Sequence, residues 1–159
     1  MTVGGNDVVG PVAAACATGV TPTCQATIST QLQQVATQLG ATLVALREAA
    51  GPDTTIAVTT YYNGLADPRC GLAGLAPLGE VVLEGGAVGG VALPQGLNDV
   101  IAAAAARVGA IVVPLRGEVG VGELVGDCLH PNAEGHRVIA GEIADAVAGQ
   151  RLTRPGRTI

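Results

Sequence analysis

Short runs of β-branched residues alternate with long amphipathic segments along this chain, and this alternation constrains the fold more than any other feature. Residues 55–62 and 110–115 are rich in Ile, Val, Thr and Tyr, which is typical of buried strands. Residues 1–3 have the character of a further strand end. Amphipathic helices are predicted after each of these segments, so successive strands are joined by crossovers and run parallel. The sequence therefore predicts an α/β fold, a parallel sheet with helices on both faces.

Apolar residues at helical spacings define the predicted helices. The longest begins near Thr23 and is ended by Gly51-Pro52, a second covers residues 95–108, and a third runs from Ala133 to about Val147. The stripe of the longest helix consists of Ile28, Leu32, Val35, Leu39, Leu43 and Leu46. Spacings of three and four residues place this stripe on one side, which we expect to pack on the sheet.

Two stretches lack such a pattern. Residues 8–22 are expected to form a loop, and no regular element is predicted for residues 63–94, which hold eight glycines and three prolines. The length of 159 residues suits one domain. We place this domain at residues 1–149 and expect residues 150–159 to be a disordered tail.

Charge and composition exclude several classes of partner and group. The chain has 13 acidic residues and 8 arginines but no lysine, for a net charge of −5, so it has no basic surface suited to nucleic acid. No apolar run approaches the roughly 20 residues of a membrane span. Neither a cofactor motif nor a metal motif is present, and we expect neither group. Met1 is not followed by a secretory signal.

Four cysteines indicate disulfide bonds. Cys16, Cys24, Cys70 and Cys128 form an even set without a Cys-x-x-Cys pair, and three pairings are possible. The short interval between Cys16 and Cys24 favours one bridge there, which leaves Cys70 for Cys128. Four buried free thiols are the alternative. Two bridges predict a location outside the reducing cytosol, and we expect a secreted protein whose signal peptide is not in this chain.

Asp127 and His130 are the strongest candidates for catalysis. They are three residues apart and Pro131 follows His130, so one tight turn brings the carboxylate within reach of the imidazole. A carboxylate that orients a histidine is half of a catalytic triad. The alternative is a turn that only caps the following helix, with Asn132 as its N-cap residue.

Gly4-Gly5-Asn6-Asp7 is the second candidate motif. It follows the first predicted strand end, whereas Asp127 and His130 follow the last strand. Binding crevices of parallel sheets lie at the carboxyl ends of the strands. Both motifs are therefore expected at one edge of the sheet.

These two motifs together resemble the SGNH (GDSL-type) hydrolases, a family of esterases and lipases. Gly4 to Asp7 looks like the family's Gly-x-Asn-Asp block, and Asp127 to His130 looks like its Asp-x-x-His block. The resemblance implies a three-layer α/β/α, flavodoxin-like fold and hydrolysis of small-molecule or lipid esters. It implies that His130 is the general base, that Asp127 orients it, and that Asn6, with Gly4 beside it, contributes to the oxyanion hole. The four cysteines are similar to those of secreted actinobacterial members.

The nucleophile of the family has no counterpart in this sequence. The family's Gly-Asp-Ser block precedes the block that Asn6 matches, and the single serine, Ser29, falls inside a predicted helix. Thr59 and Thr60 belong to a strand, and Cys128 is expected to be bridged. We therefore expect a domain that is incomplete at its N-terminus, with the serine elsewhere and a partner chain or oligomer covering the bare sheet edge.

Two functions follow as hypotheses. The first is a carboxylic ester hydrolase whose serine is not in this chain. The second is a non-catalytic family member that uses the same edge to bind an ester, a glycan or a partner protein. A metal site formed by Asp127, His130 and His136 is a third interpretation, which we disfavour because His136 suits a solvent-facing helical position.

Overall fold

A computed structural model of the protein describes residues 1–71 and 73–153 as a mixed α/β fold. Helices and strands alternate along most of this length. The elements are α1 (Gly5–Cys16), α2 (Pro22–Ala50), β1 (Ala57–Thr59), α3 (Ala76–Glu84), β2 (Gly86–Val88), β3 (Val91–Leu93), α4 (Leu97–Arg107), β4 (Ile111–Val113) and α5 (Ala133–Thr153). The predicted class is confirmed, although the parallel sheet in the described residues has only two strands.

The parallel sheet consists of β1 and β4, with Val58 opposite Val112. Each strand has three residues and is shorter than predicted. Pro114 has no N–H group to continue the pairing after β4, and the N–H of Tyr61 bonds to the Asn98 side chain instead of to a strand.

Residues 1–3 run beside β1 but do not form a regular strand. The amino group of Met1 donates to the carbonyl of Ala57 at 2.6 Å, and the carbonyl of Met1 accepts from Thr59 N–H at 3.0 Å. This is the bonding pattern of a parallel neighbour.

Helices cover both faces of this sheet. Val58 and Val112 belong to the large core that includes α2 and α4, whereas Ile111 and Val113 pack with Ile143 and its neighbours on α5. Alternate residues of a strand point to opposite faces, so α5 is separated from α2 and α4 by the sheet. Because β1 and β4 are parallel, their carboxyl ends lie at the same edge of the sheet.

The stripe of the longest predicted helix forms the centre of α2. Thr21 caps the helix by accepting a hydrogen bond from Cys24 N–H at 3.2 Å, and Gly51 ends it with a φ of 79°. The buried residues are Cys24, Ile28, Leu32, Val35, Leu39 and Leu43. Leu46 is the exception: it is 37% exposed, so its inclusion in the stripe was wrong. The helix has passed the edge of the core by that turn.

The expected loop at residues 8–22 is largely helical. Helix α1 spans Gly5–Cys16 and buries Val8, Val12 and Cys16 against α2. A spacing of four residues puts these three side chains on one face. Gly10 and Pro11 concealed this pattern, since both residues disfavour a helix interior. Packing of the apolar face, fixed by the Cys16–Cys24 disulfide, outweighs that local preference.

Residues 63–94 also contain more regular structure than expected. Helix α3 and the antiparallel pair β2 and β3 form there, after three short 3-10 turns. Val91 and Leu93 are buried and their strand contacts α2. The glycines end and connect these short elements: Gly85 caps α3 with a φ of 75°, and Gly89 and Gly90 form the hairpin turn.

Helix α5 continues to Thr153, so its last residues overlap the predicted tail. Residues 154–159, the remainder of that tail, are outside the described residues. None of the helices in the described parts of the chain is both long enough and apolar enough to cross a membrane.

Candidate active site

The Asp127–His130 pair forms as the spacing predicts. The Nδ1 atom of His130 is 2.6 Å from Oδ2 of Asp127, and the His130 side chain is 69% exposed. An ionised carboxylate only accepts hydrogen bonds, so Nδ1 carries the proton and Nε2 of the neutral ring has the free lone pair. This is the tautomer that a general base requires. The exposed ring is accessible to a substrate.

Backbone hydrogen bonds hold the Asp127 carboxylate in place. Its Oδ1 atom accepts from the N–H groups of Leu129 at 2.9 Å and His130 at 3.0 Å. The backbone N–H of His130, then the imidazole of His130 and the N–H of Leu129, lower the pKa of Asp127 to about 2. The carboxylate is therefore ionised at neutral pH and is aimed at the ring by the turn itself.

The turn has a closed backbone structure. Val125 N–H donates to the carbonyl of His130 at 2.9 Å, and Cys128 N–H donates to the carbonyl of Val125 at 3.1 Å. Cys128 has a φ of 61°, the one positive φ among the non-glycine residues of the described chain. A left-handed conformation costs such a residue roughly 1–2 kcal/mol. Contacts outside the turn must therefore stabilise it.

Asn132 connects this turn to α5 as the predicted N-cap. Its Oδ1 accepts from the N–H groups of Glu134 at 2.8 Å and Gly135 at 3.1 Å. The capping interpretation and the catalytic interpretation are therefore compatible, because Asn132 forms the cap while Asp127 pairs with His130.

The turn is docked on the segment that follows β1. Tyr62 donates a hydrogen bond from its hydroxyl to the carbonyl of Leu129 at 2.8 Å. Cys70 forms a disulfide with Cys128, with their Cα atoms 5.8 Å apart. Gly64 fits so closely that an added Cβ would be 2.0 Å from the carbonyl oxygen of Cys128. Three contacts of different kinds thus fix the residues around His130.

Asp67 forms an ion pair with Arg69 in the segment that follows β1. Its carboxylate is almost completely buried and accepts bonds from Arg69 N–H at 2.9 Å and Arg69 Nε at 3.0 Å. The Arg69 side chain, assisted by the backbone of Arg69 and of Gly122, lowers the pKa of Asp67 to about 2. Gly122 belongs to the loop that leads into the turn, so the Asp67 carboxylate lies near that loop.

The amino-terminal motif is held at the same exit from β1. Gly4 has a φ of 101°, which permits the sharp change from the extended residues 1–3 into α1. Gly5 N–H donates to the hydroxyl of Tyr61 at 2.8 Å. Asn6 is exposed in the first turn of α1. Gly4 is buried, since its backbone lies against Val35 of α2.

Consecutive tyrosines therefore connect the two motifs to one point of the sheet. Tyr61 contacts the first motif through Gly5, and Tyr62 contacts the second through Leu129. No hydrogen bond among the described residues joins Asn6 to Asp127 or His130. The sequence analysis did not identify the tyrosines, although their position at the end of the predicted strand 55–62 was an available signal. That Asn6 and His130 share one pocket stays a prediction.

A buried amide fixes these tyrosines. Asn98, in the first turn of α4, accepts from Tyr61 N–H at 2.8 Å and donates to the Tyr61 carbonyl at 3.0 Å. It also donates to Glu84 Oε1 at 2.5 Å. Arg116, after β4, pairs with Glu80 and lies 3.7 Å from Glu84. Helix α3 is thereby tied to the carboxyl ends of both strands.

Among the described residues, no hydroxyl or thiol is hydrogen bonded to the His130 ring. Cys128 is bridged to Cys70, and all four cysteines are paired as the sequence favoured. Thr59 and Thr60 are buried, with their hydroxyls bonded to Thr2 and to Leu115 N–H. Ser29 is in the middle of α2.

The arrangement supplies an oriented base that no described hydroxyl or thiol contacts through a hydrogen bond. Its described residues also contain no group of three His, Cys, Asp or Glu side chains placed to hold a metal ion. His136 is exposed in the first turns of α5. Comparison of the chain with protein-family models, with curated proteins and with solved structures found no match.

Proposed function

We propose that this chain carries the base and the orienting carboxylate of a carboxylic ester hydrolase of the SGNH (GDSL) type. The 2.6 Å contact between Asp127 and the exposed His130 is the observation that supports this proposal. In the reaction, Nε2 of His130 takes the proton of a serine hydroxyl as that oxygen attacks the ester carbonyl. The ester C–O bond then breaks, and His130 returns the proton to the leaving alcohol. Water, deprotonated by the same Nε2 atom, then attacks the acyl-serine, and the acid is released as the proton returns to the serine oxygen.

The attacking serine belongs to polypeptide outside these 159 residues. The buried, hydrogen-bonded hydroxyls of Thr59 and Thr60 and the bridged state of Cys128 support this proposal. Asn6 is the proposed donor to the oxyanion from its side-chain amide, and the left-handed Gly4 sets the turn that exposes it. Losing a donor of this kind typically lowers kcat by about 10²- to 10³-fold.

The three-layer α/β/α fold of the family is part of the same proposal. Parallel pairing of β1 with β4 and helices on both faces agree with it. The two disulfides agree with an oxidising compartment, and we propose that the protein is secreted.

Fluorophosphonate labelling of the intact protein, expressed from its own gene, tests the proposal. The reagent reacts preferentially with an activated serine, and peptide mapping identifies the modified residue. His130→Ala is expected to abolish the labelling and the hydrolysis of a short-chain chromogenic ester. His136→Ala is the matched control, because it removes the other histidine of this chain, and is expected to retain both.

Equal labelling of the His130→Ala variant and the wild type would refute the role of His130. The 159-residue chain by itself is expected to hydrolyse the ester no faster than its His130→Ala variant. Clear turnover by the wild-type chain would show that a nucleophile is present in it after all.

A non-catalytic binding function is the second candidate. Three exposed aliphatic side chains, Val121, Val125 and Leu129, flank the histidine turn. Exposed apolar side chains of this kind favour contact with a ligand or protein where they form a continuous patch. Failure of the intact protein to react with fluorophosphonate, together with retained binding of a substrate ester, would favour this candidate.

A further inference from the structure

One peptide group of the histidine turn is hydrogen bonded at both of its ends. It joins Leu129 to His130. Its carbonyl accepts from the Tyr62 hydroxyl at 2.8 Å, and its N–H donates to Oδ1 of Asp127 at 3.0 Å. Oδ2 of the same carboxylate contacts the His130 ring. A continuous series of hydrogen bonds therefore runs from Tyr62 through the backbone and Asp127 to the imidazole.

Hydrogen bonds in such a series strengthen one another. A donor at the carbonyl oxygen of an amide makes the N–H of that amide a better donor, because it polarises the peptide group. The His130 N–H is the largest of the influences that lower the pKa of Asp127. Tyr62 therefore acts on the peptide group that matters most for the orienting carboxylate.

Tyr62 is itself firmly placed. Its ring packs with the buried cluster of Ile111, Val113 and Leu115 below α5. The preceding residue, Tyr61, has both of its backbone groups bonded to Asn98. Burial, followed by the charge of Asp127, raises the pKa of Tyr62 to about 12, so its hydroxyl remains a donor at neutral pH.

We propose that Tyr62 is a positioning residue, which holds the Leu129–His130 peptide so that Asp127 keeps the His130 ring in its Nδ1–H tautomer. This inference adds a residue to the proposed ester hydrolase and rests on that function for its importance. Its physical content is independent of turnover, since the tautomer is a property of the resting protein.

Tyr62→Phe is the direct test because it removes one oxygen atom. The tautomer populations are read from the ring ¹⁵N shifts of His130 in the intact labelled protein, with His136→Gln used for assignment. The variant is expected to raise the ratio of the Nε2–H to the Nδ1–H tautomer, and the roughly tenfold change that a whole hydrogen bond would give is the upper bound, because Tyr62 acts through the peptide group. The carboxyl ¹³C titration of Asp127 is expected to move to higher pH.

Tyr61→Phe is the matched control. Its hydroxyl contacts Gly5 rather than the histidine turn, so the His130 tautomers are expected to stay as in the wild type. If Tyr62→Phe fails to fold, 3-fluorotyrosine at position 62 keeps the ring and makes the hydroxyl a stronger donor. This substitution is expected to move the tautomer ratio in the opposite direction.

Wild-type tautomer populations in a folded Tyr62→Phe protein, or in the fluorotyrosine protein, would overturn the inference. The outcome is distinct from failure of the proposed function. A tautomer shift in a protein without esterase activity would retain the positioning role but remove its catalytic meaning. Esterase activity with unchanged tautomers would refute only the role of Tyr62.

Discussion

Removal of the Cys70–Cys128 disulfide is expected to have two separable effects, on the unfolded chain and on the histidine turn. The double variant Cys70→Ala/Cys128→Ala deletes a bridge that spans 58 residues of sequence. The loop-closure entropy of such a loop amounts to about 4 kcal/mol near room temperature. The free energy of unfolding is therefore expected to fall by about this amount.

The other disulfide provides the matched control. Cys16 and Cys24 are only 8 residues apart, which gives about 2.5 kcal/mol by the same relation. Both variants remove two sulfur atoms, and three of the four cysteines are buried. The difference between the free energies of unfolding of the two variants therefore reports loop length and the local effect on the turn.

Urea unfolding followed by far-ultraviolet circular dichroism measures both free energies in the intact protein. The reasoning is refuted if Cys16→Ala/Cys24→Ala is destabilised as much as the other double variant. The local effect is measured by the ring ¹⁵N shifts of His130, which are expected to change only without the Cys70–Cys128 bridge. Without that bridge, the left-handed φ of Cys128 loses one of the contacts that stabilise it.

Three further predictions concern single residues. Gly64→Ala is expected to displace the turn or unfold the protein, since the new methyl group meets the Cys128 carbonyl at 2.0 Å, whereas Gly126→Ala adds a methyl group in open space and should be tolerated; thermal unfolding compares them. Asp127 has a lowered pKa of about 2, so its ionised form contributes stability fully above pH 4 and loses it as pH falls through 2. The stability difference between wild type and Asp127→Asn, measured by urea unfolding, should shrink over that interval. Ile28→Ala removes a fully buried side chain and should cost about 2–5 kcal/mol in the same assay.

Local chemistry was sufficient to predict the parts of this fold that depend on sequence neighbours. The stripe from Ile28 to Leu43, the turn that pairs Asp127 with His130, and the Asn132 cap each follow from spacings of a few residues. The favoured disulfide pairing also rested on a short interval, between Cys16 and Cys24.

Features that depend on distant residues were not predictable in this way. Helix α1 contains Pro11 and forms because its apolar face meets α2. The contact of Tyr62 with Leu129 joins residues 67 positions apart, and Asn98 is 37 positions from Tyr61. Only the folded sheet brings these groups together, so no local pattern marks them as parts of the site.

The paired tyrosines give this chain an optical property. It has no Phe and no Trp, so Tyr61 and Tyr62 are its sole source of intrinsic emission. The phenol of Tyr61 reports on the N-terminus of α1, and the phenol of Tyr62 reports on the turn that carries His130. Ligand arrival or rearrangement at this location is therefore expected to change the ultraviolet signal of the chain, without an added label and without background from the rest of its interior.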